Sequence, residues 1–334
     1  MMARRPSLVA ITLALAACTS TGPDMPSESI QLGRIATTDL VWTTRGIYIT
    51  EDATSLVSGG RNLALVELSG RKHEVALAGR PEGCLQIDYF RLDSIDDRVL
   101  ATRHCGRSDP TVEVSLLMLD ESARTARPIM GLPFSPASLS AAPNFRRVLV
   151  SNSQGICSGF SLVTAEGIQE LPAWVGAGSR RFRVDADVRR GEPGCADVGL
   201  ADLPAWSPDG NRVAFLASPD SIGLGGFEKA ESSWNLYVLD PESLGVSGPL
   251  LDEIYFPRDL EWSPDGATLA LSAQVAGDDG LWLFRPGDRS LARLDDAVVD
   301  HLAWSPDGER IAVALPLGEP GEQRLVILDA QGLV

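Results

Sequence analysis

Residues 206–210 read Trp-Ser-Pro-Asp-Gly (WSPDG), and the same five letters return at 262–266 and at 304–308. A short apolar run follows each copy, at 213–215, 269–271 and 311–313. A phrase that recurs about every 50 residues is typical of an array of like supersecondary units. The repeat is therefore the feature of the sequence that decides the fold.

The chemistry of the phrase predicts a hairpin. Proline presets φ for the second position of a turn, aspartate bonds to its own backbone, and glycine adopts positive φ. The phrase is flanked by residues that alternate in polarity and by β-prone residues, so we expect it to join two antiparallel strands, with the tryptophan buried near the bend. Third strands are predicted at 235–240, 280–284 and 324–329.

Weaker copies of the unit occupy the first half of the chain. They lie at 42–49, 90–101 and 141–150, with third strands at 63–66, 116–119 and 160–163. The six units, with their WSPDG turns and LYVLD-like third strands, resemble the TolB-type family of six-bladed β-propellers. The resemblance implies an all-β fold, a six-bladed β-propeller that spans residues 30–334.

The end of the chain is too short to complete the last unit. Residues 330–334 follow the final third strand and leave no room for a turn and a fourth strand. Residues 29–42 resemble residues 290–304, where a fourth strand leads into the next unit. We expect an N-terminal strand around 30–34 to pair with the last blade, which would close the ring and cover an exposed edge.

The N-terminus has the three regions of a bacterial lipoprotein signal. Arg4 and Arg5 precede a short apolar run, which ends in Leu-Ala-Ala before Cys18. This pattern resembles a lipobox, so we expect residues 1–17 to be a lipoprotein signal peptide, Cys18 to be acylated and residues 18–29 to form a tether. An ordinary signal peptide with a chance cysteine is the alternative. Either interpretation places the protein outside the cytoplasm, and the lipobox adds a membrane anchor on the periplasmic side of the envelope or at the cell surface.

The chain is acidic, with a formal net charge of −16, and loss of Arg4 and Arg5 would make the mature protein more so. This charge argues against binding to nucleic acid and against direct electrostatic binding to anionic lipid, so membrane contact is expected through the anchor only. Acidity also serves solubility. A closed propeller of this size is expected to be a monomer.

Four cysteines remain beyond the lipobox: Cys84, Cys105, Cys157 and Cys195. In an exported chain they indicate disulfides, for which three connectivities are open. Under the propeller topology all four lie in loops on one face, and we predict Cys84–Cys105 and Cys157–Cys195. A zinc site is the alternative, although no CxxC spacing is present.

Two long loops are predicted on that same face, at 172–200 and 218–233, and loops of this length are usually functional or disordered. The second carries three glycines, and the first carries a basic island in an acidic protein, whose arginines are Arg180, Arg181, Arg183, Arg189 and Arg190. The arginines are candidates for binding a partner. Pairing with neighbouring carboxylates is the alternative.

Motifs for catalysis are scarce: the sequence contains no GxSxG, HExxH, Walker or EF-hand pattern. One set lies three residues before each tryptophan or its equivalent, and its members are Asp39, Asp88, Ser138, Leu203, Asp259 and His301. If the innermost strands line a channel, Asp39, Asp88, Asp259 and His301 are candidates to hold a divalent cation at its mouth. Solvated turns at the starts of strands are the alternative.

The resemblance to TolB-like proteins implies a binding or scaffolding module that engages protein partners in the cell envelope, with no cofactor. A metal-dependent, lactonase-like hydrolase is the alternative, because related six-bladed propellers place a metal at the channel mouth. Fold alone does not choose between these functions. We expect function on the face with the long loops, since the opposite face consists of short SPDG turns.

Overall fold

The structure is a computed structural model that describes residues 30–35, 37–52, 61–75, 77, 82–95, 98–106, 112–120, 125–132, 136, 138–152, 159–164, 166–169, 175–177, 180–182, 200–218, 233–317 and 322–330. These residues form 25 β-strands. Nowhere among them is there a helix with the length and apolar character needed to cross a bilayer. The chain is thus all-β over the part that is described.

The described chain begins with β1 (Ile30–Ile35), and three four-stranded antiparallel sheets follow, in which each strand pairs with the one before it. They consist of β2 (Thr37–Thr43), β3 (Gly46–Asp52), β4 (Arg61–Val66) and β5 (Lys72–Glu74); of β6 (Gln86–Ile95), β7 (Arg98–Gly106), β8 (Val112–Asp120) and β9 (Thr125–Leu132); and of β10 (Leu139–Ala141), β11 (Arg147–Asn152), β12 (Gly159–Thr164) and β13 (Gly167–Gln169). A short hairpin comes next, formed by β14 (Val175–Ala177) and β15 (Arg180–Phe182).

A seven-stranded antiparallel sheet makes up the next part of the chain. Its strands are β16 (Leu200–Trp206), β17 (Val213–Ser218), β18 (Trp234–Leu239), β19 (Val246–Trp262), β20 (Leu269–Val275), β21 (Asp278–Arg285) and β22 (Ser290–Asp295). The first half of β19 pairs with β18 and its second half pairs with β20. Pairing with β20 is irregular between Tyr255 and Asp259, and Phe256 has φ of 48°, so β19 bends where it passes from one partner to the other.

The last sheet joins the two ends of the described chain. It contains β23 (His301–Trp304), β24 (Arg310–Pro316) and β25 (Gln323–Asp329), and β1 is its fourth strand, antiparallel to β25. Ile30 lies opposite Ile327 and Ile35 lies opposite Gln323. The outer edge of β25 is thereby covered by β1.

The first strand of each sheet contacts the first strand of its neighbours. Contacts run from β2 to β6, β6 to β10, β10 to β16, β16 to the sheet partner β19, β19 to β23, and from β23 back to β2. A closed cycle of this kind is the arrangement of a propeller, with these strands nearest the axis. We call β2, β6, β10, β16, the second half of β19, and β23 the inner strands, and each inner strand with its following strands a unit.

The three strong copies of WSPDG form the predicted hairpins. Trp206 pairs with Val213, and the other two copies pair in the same way, which confirms the antiparallel strands. In the first copy the Ser207 hydroxyl donates to the Asp209 carboxylate and accepts the N–H of Arg212 at 3.0 Å. The turn glycine, Gly210, has φ of 74°, and those of the other two copies have φ of 68° and 73°. Turn chemistry therefore acts as the sequence predicts.

Arginines at the starts of second strands stack on aromatic rings of the next unit. The distances from guanidinium carbon to ring centre run from 4.3 to 5.6 Å, in the pairs Arg98–Phe145, Arg147–Trp206, Arg212–Trp262 and Arg310–Trp42. The tryptophan rings are buried, so each arginine covers an edge of the core where two units meet. We call this set the arginine belt. It lies on the side of the ring that carries the SPDG turns, which we call the turn face.

Cys84 and Cys105 form a disulfide with a Cα–Cα distance of 5.3 Å, which is the first of the two predicted pairs. Cys157, Cys195 and the lipobox Cys18 lie outside the described residues. The same holds for residues 219–232 of the second long loop and for most of the first, of which the described residues give backbone strands only.

Removal of β1 should destabilise the protein strongly. Leu32 and Ile35 are buried in one cluster with residues of β2 and β25, and loss of two such side chains costs about 3 to 6 kcal/mol before the exposed edge of β25 is counted. We expect a variant that lacks residues 1–36 to melt far below the parent in a thermal scan, whereas a variant that lacks residues 1–29 melts with it. Equal melting temperatures for the two deletions would contradict the structural role of β1.

Candidate functional site

A cavity of about 1390 Å³ lies at the axis of the ring and is lined by residues of all the inner strands. It reaches the turn face at Pro208, Pro264 and Pro306. Its other end, where the inner strands begin, we call the mouth. The cavity is the candidate functional site, because it is where the sequence predicts that side chains from different units converge.

A first layer of side chains surrounds the cavity at the mouth: Asp39, Arg91, Ser138, Asp202, Asp259 and His301. In this layer Asp39 lies between two basic side chains. Its carboxylate is 3.9 Å from His301 Nδ1 and 4.0 Å from Arg91 Nη1. The guanidinium and the imidazole come from the two units that flank β2. Three of the four residues predicted to hold a cation, Asp39, Asp259 and His301, are thus brought to one end of the cavity.

The fourth, Asp88, lies elsewhere. Its carboxylate accepts the N–H of Arg61 and the side-chain amide of Gln86, and it is not among the residues that line the cavity. Arg91 takes the position that the sequence assigns to Asp88. The pairing of β6 with β7 is irregular between Tyr89 and Leu92, so counting back from a missing tryptophan gives the wrong residue.

Leu203 lines the cavity but supplies no polar group to it. It has φ of 52°, pairing of β16 with β17 is irregular between Asp202 and Ala205, and the Leu203 side chain packs on a hydrophobic cluster. The preceding residue supplies the polar group instead: the Asp202 carboxylate accepts the Leu203 N–H at 2.8 Å and the Ser138 hydroxyl at 3.0 Å.

A second layer lies two residues further along three of the inner strands, because alternate residues of a strand face the same side. It consists of Asp93, Ser140 and Glu261. The Ser140 hydroxyl accepts the N–H of Trp206 at 2.9 Å, and the Glu261 carboxylate accepts the N–H of Trp304 at 3.0 Å. Asp93 accepts the N–H of Ala141 in the same way. A step of two residues from Ser138 and Asp259 finds Ser140 and Glu261 in the sequence, whereas Asp93 is reached only from Arg91.

Burial raises the pKa of four of these acids, Asp39, Asp93, Asp259 and Glu261. It raises the pKa of Asp93 to about 7 and that of Asp259 to about 6, against hydrogen bonds from the backbone that lower both. The pKa of Glu261 is raised well above its ordinary value by burial and then by the charge of Asp259. Burial also raises the pKa of Asp39, while Arg91 and His301 hold it down. Near neutral pH the channel therefore contains carboxyl groups in both protonation states.

The aspartates of the first layer are engaged by the backbone. Asp39 accepts the N–H of Leu40 on one oxygen and that of Leu92 on the other, and Asp259 binds Leu260 and Leu302 likewise, at 2.9 to 3.0 Å. Hard cations favour such oxygens, but a metal would have to share them with these N–H groups. Within the described ranges no group of three or more His, Cys, Asp or Glu side chains is placed to hold a metal ion. The cation site stays a prediction.

Exposed side chains at the mouth include two that the sequence analysis missed. Phe256 is 41% exposed although it is large and apolar, and Arg258 is exposed beside it; both line the cavity. On another unit the Arg61 guanidinium lies 4.4 Å from the centre of the Phe90 ring, which also lines the cavity. The mouth thus combines aromatic rings with guanidinium groups. In the sequence, the only sign of Phe256 and Arg258 is the segment FPRD at 256–259, which precedes LEWSPDG.

Of the basic island, Arg180 and Arg181 fall in β15, which pairs with β14 and not with an inner strand. Their side chains are not described, and Arg183, Arg189 and Arg190 lie outside the described residues. The candidate partner-binding role of the island stays a prediction.

Comparison of structures places the chain among known propellers. TolB from Acinetobacter baumannii superposes with a TM-score of 0.53 and 16% identity over 90% of this chain and 64% of that chain. The fold is that of a TolB-like β-propeller. An oligogalacturonate lyase in complex with manganese superposes with a TM-score of 0.50 and 13% identity, over 93% of this chain and 94% of the lyase. Likeness at such identities concerns the fold alone.

By sequence, 127 residues are 33% identical to the uncharacterized peptidase YuxL of Bacillus subtilis (strain 168). The match covers 37% of this chain and 18% of that protein, so the chain spans only a small part of this relative. It spans 64% of the length of the TolB chain. No protein-family model matches the chain.

The raised pKa of Glu261 predicts a pH-dependent effect of its replacement by glutamine. A raised pKa means that the folded state holds the proton more tightly, so the stability it contributes is present below the ordinary pKa of 4.5 and is lost as pH rises through the raised value. Gln at this position keeps an oxygen for the Trp304 N–H and never ionises. We expect Glu261→Gln to gain stability over the parent as pH rises from about 4 to about 8, measured by urea unfolding.

Glu242→Gln is the matched control, since Glu242 is exposed at a turn far from the channel acids. It should show no such trend. A Glu261→Gln variant whose stability relative to the parent does not change with pH would show that folding does not raise the pKa of this carboxyl.

Proposed function

We propose that the chain is a binding or scaffolding β-propeller that captures a protein partner at the mouth of its channel. The observation that carries the proposal is the exposed pair Phe256 and Arg258 at the rim of a deep cavity. Aromatic and arginine side chains dominate the energetic centres of protein interfaces. The basic island, Arg180, Arg181, Arg183, Arg189 and Arg190, belongs to the same proposal as a second basic contact for the partner.

The proposal includes a ring of six blades over residues 30–334, closed by the N-terminal strand. Two halves of the seven-stranded sheet would each count as a blade, because β19 changes partner at its bend. The cycle of contacts among the inner strands and the pairing of β1 with β25 support this count. A closed ring fixes the inner strands relative to one another, which suits a preformed binding surface.

We also propose that the protein is an extracytoplasmic lipoprotein held on the membrane by Cys18 alone, with residues 18–29 as tether. The disulfide between Cys84 and Cys105 supports an oxidising compartment. Partners would then be proteins of the cell envelope, and the acidic charge of the chain disfavours nucleic acid.

The anchor is tested by Cys18→Ala. Without the thiol no acyl chain can be attached, so the variant should leave the membrane fraction and appear in the soluble extracytoplasmic fraction. Cys84→Ala with Cys105→Ala is the control, because it removes two other cysteines without touching the lipobox. A Cys18→Ala protein that still fractionates with membranes would overturn the anchor.

Partner capture is tested by replacing the mouth residues. Once crosslinking in the native cell has identified a partner, Phe256→Ala and Arg258→Ala should each weaken its binding to the purified protein by about tenfold or more. The loss for Arg258→Ala should shrink at high salt, because exposed charges are screened over about 8 Å at physiological ionic strength. Glu242→Ala, on an outer turn, should bind as the parent does. Undiminished binding by both mouth variants would remove the mouth as the binding surface.

A metal-dependent hydrolase is the second candidate function. Asp39, Asp259 and His301 meet at the mouth, and acids whose pKa lies near neutral, such as Asp93, can serve as general acid or base. A lyase that superposes on this chain was solved in complex with manganese, which supports a metal-dependent use of the scaffold. If it applies here, Asp259→Ala and His301→Ala abolish turnover of lactone or ester substrates in the presence of Mn²⁺ or Ca²⁺, while Phe256→Ala matters little. A protein inert to these substrates with either ion would remove this candidate.

A further inference from the structure

The arginine belt has one junction where the ring is present and the arginine is not. Trp304 is the aromatic residue that faces the unit of β20, and the residue before β20 is Thr268, whereas Arg212 stands at the corresponding place before β17. Among the described residues, the cation–aromatic contacts do not involve Trp304. A cavity of about 620 Å³ lies at this junction.

The surroundings of Arg212 show what a guanidinium contacts at such a junction. Its charged group lies 4.6 Å from the centre of the Trp262 ring. Nη2 donates to the carbonyl of Gly266 in the next turn at 3.0 Å and lies 4.0 Å from the carboxylate of Asp209 in its own turn. Ring, carbonyl and carboxylate together suit the planar, charged and multiply donating guanidinium.

Each of these three partners has a counterpart at the junction of Thr268. Trp304 corresponds to Trp262, Gly308 to Gly266, and Asp265 to Asp209, by their places in the WSPDG repeat. All three line the 620 Å³ cavity together with Thr268. The turns also pack alike, since a Cβ on Gly308 would meet Pro264 at 3.6 Å and one on Gly266 would meet Pro208 at 3.5 Å. The junction is a guanidinium site without its arginine.

The charges around this cavity favour a cation. The Ser263 hydroxyl holds the pKa of Asp265 below its usual value, and the N–H of Ser290 does the same for Asp288, so both carboxylates are ionised at neutral pH. Arg285 lines the cavity too and interacts with both acids, which leaves one excess negative charge among these three side chains. An incoming guanidinium would balance it.

We propose that this cavity, which we call the 268 gap, binds an arginine side chain of a protein partner. The arginine would stack on Trp304, donate to the carbonyl of Gly308 and pair with Asp265, as Arg212 does at its own junction. The site lies on the turn face, so it is separate from the mouth and does not depend on the function proposed there. It would give the propeller a second surface on which to hold a protein.

The proposal is tested by filling the gap from within. Thr268→Arg should place the missing guanidinium on Trp304 and raise the melting temperature by about 2 °C, and Thr268→Gln, which is long and polar but uncharged, should not. In the parent, acetyl-argininamide should shift the indole N–H resonance of Trp304 in a saturable manner. Acetyl-lysinamide should do so more weakly, because an ammonium cannot stack and donate in a plane. Thr268→Arg should abolish the response.

The converse variant opens a second gap. Arg212→Thr should lower the melting temperature, double the number of acetyl-argininamide sites and extend the response to the Trp262 indole, while the response of Trp304 persists. A parent protein whose Trp304 resonance does not respond to acetyl-argininamide, or a Thr268→Arg variant that responds as the parent does, would overturn the proposal. Loss of partner capture in Phe256→Ala leaves this outcome unaffected, so failure at the mouth and failure at the 268 gap can be told apart.

Discussion

The ring depends on hydrogen bonds that pass from one inner strand to the next. Each inner strand, the second half of β19 included, is paired on one side only, so the N–H groups along its free edge need other acceptors. The neighbouring unit supplies them from side chains: Asp39 accepts the N–H of Leu92, Asp259 that of Leu302, and Ser140 that of Trp206. Sheets that share no strand are thereby tied together around the axis, and the channel owes its shape to these bonds.

The parts of this fold that follow from local chemistry could be predicted, and those that follow from register could not. The SPDG turns set their own strand pairing, so Trp206 and Val213 are opposite each other as the sequence predicts. Asp88 was assigned to the channel by counting, but an irregularity inside β6 moves the count by three residues and brings Arg91 to the position instead. A cation thus stands where a carboxylate was expected, which changes the charge of the mouth.

The turn face was expected to carry little beyond short turns, and its arginine belt shows why that expectation was incomplete. Conformation in an SPDG turn is set by Ser, Pro, Asp and Gly, whereas the residue just before the second strand is free to vary without loss of the turn. In four units an arginine at or just before the start of the second strand packs on a tryptophan or phenylalanine of the next unit, as Arg212 does on Trp262. This variation can be read from the sequence, because alignment of the WSPDG copies places Thr268 where the first copy has Arg212.

The depth of an acid in the channel determines whether its negative charge is balanced by a basic neighbour or removed by protonation. Asp39 lies between Arg91 and His301, and Asp259 lies near His301, so these two acids of the first layer have basic side chains close by. Asp93 and Glu261 lie deeper, and what opposes their burial is mainly a backbone N–H. A neutral N–H stabilises a carboxylate less than a neighbouring cation does, so protonation is the easier way to accommodate the deeper acids. Charge is therefore concentrated at the mouth, where a partner or substrate would first meet it, and the interior serves to hold the inner strands together.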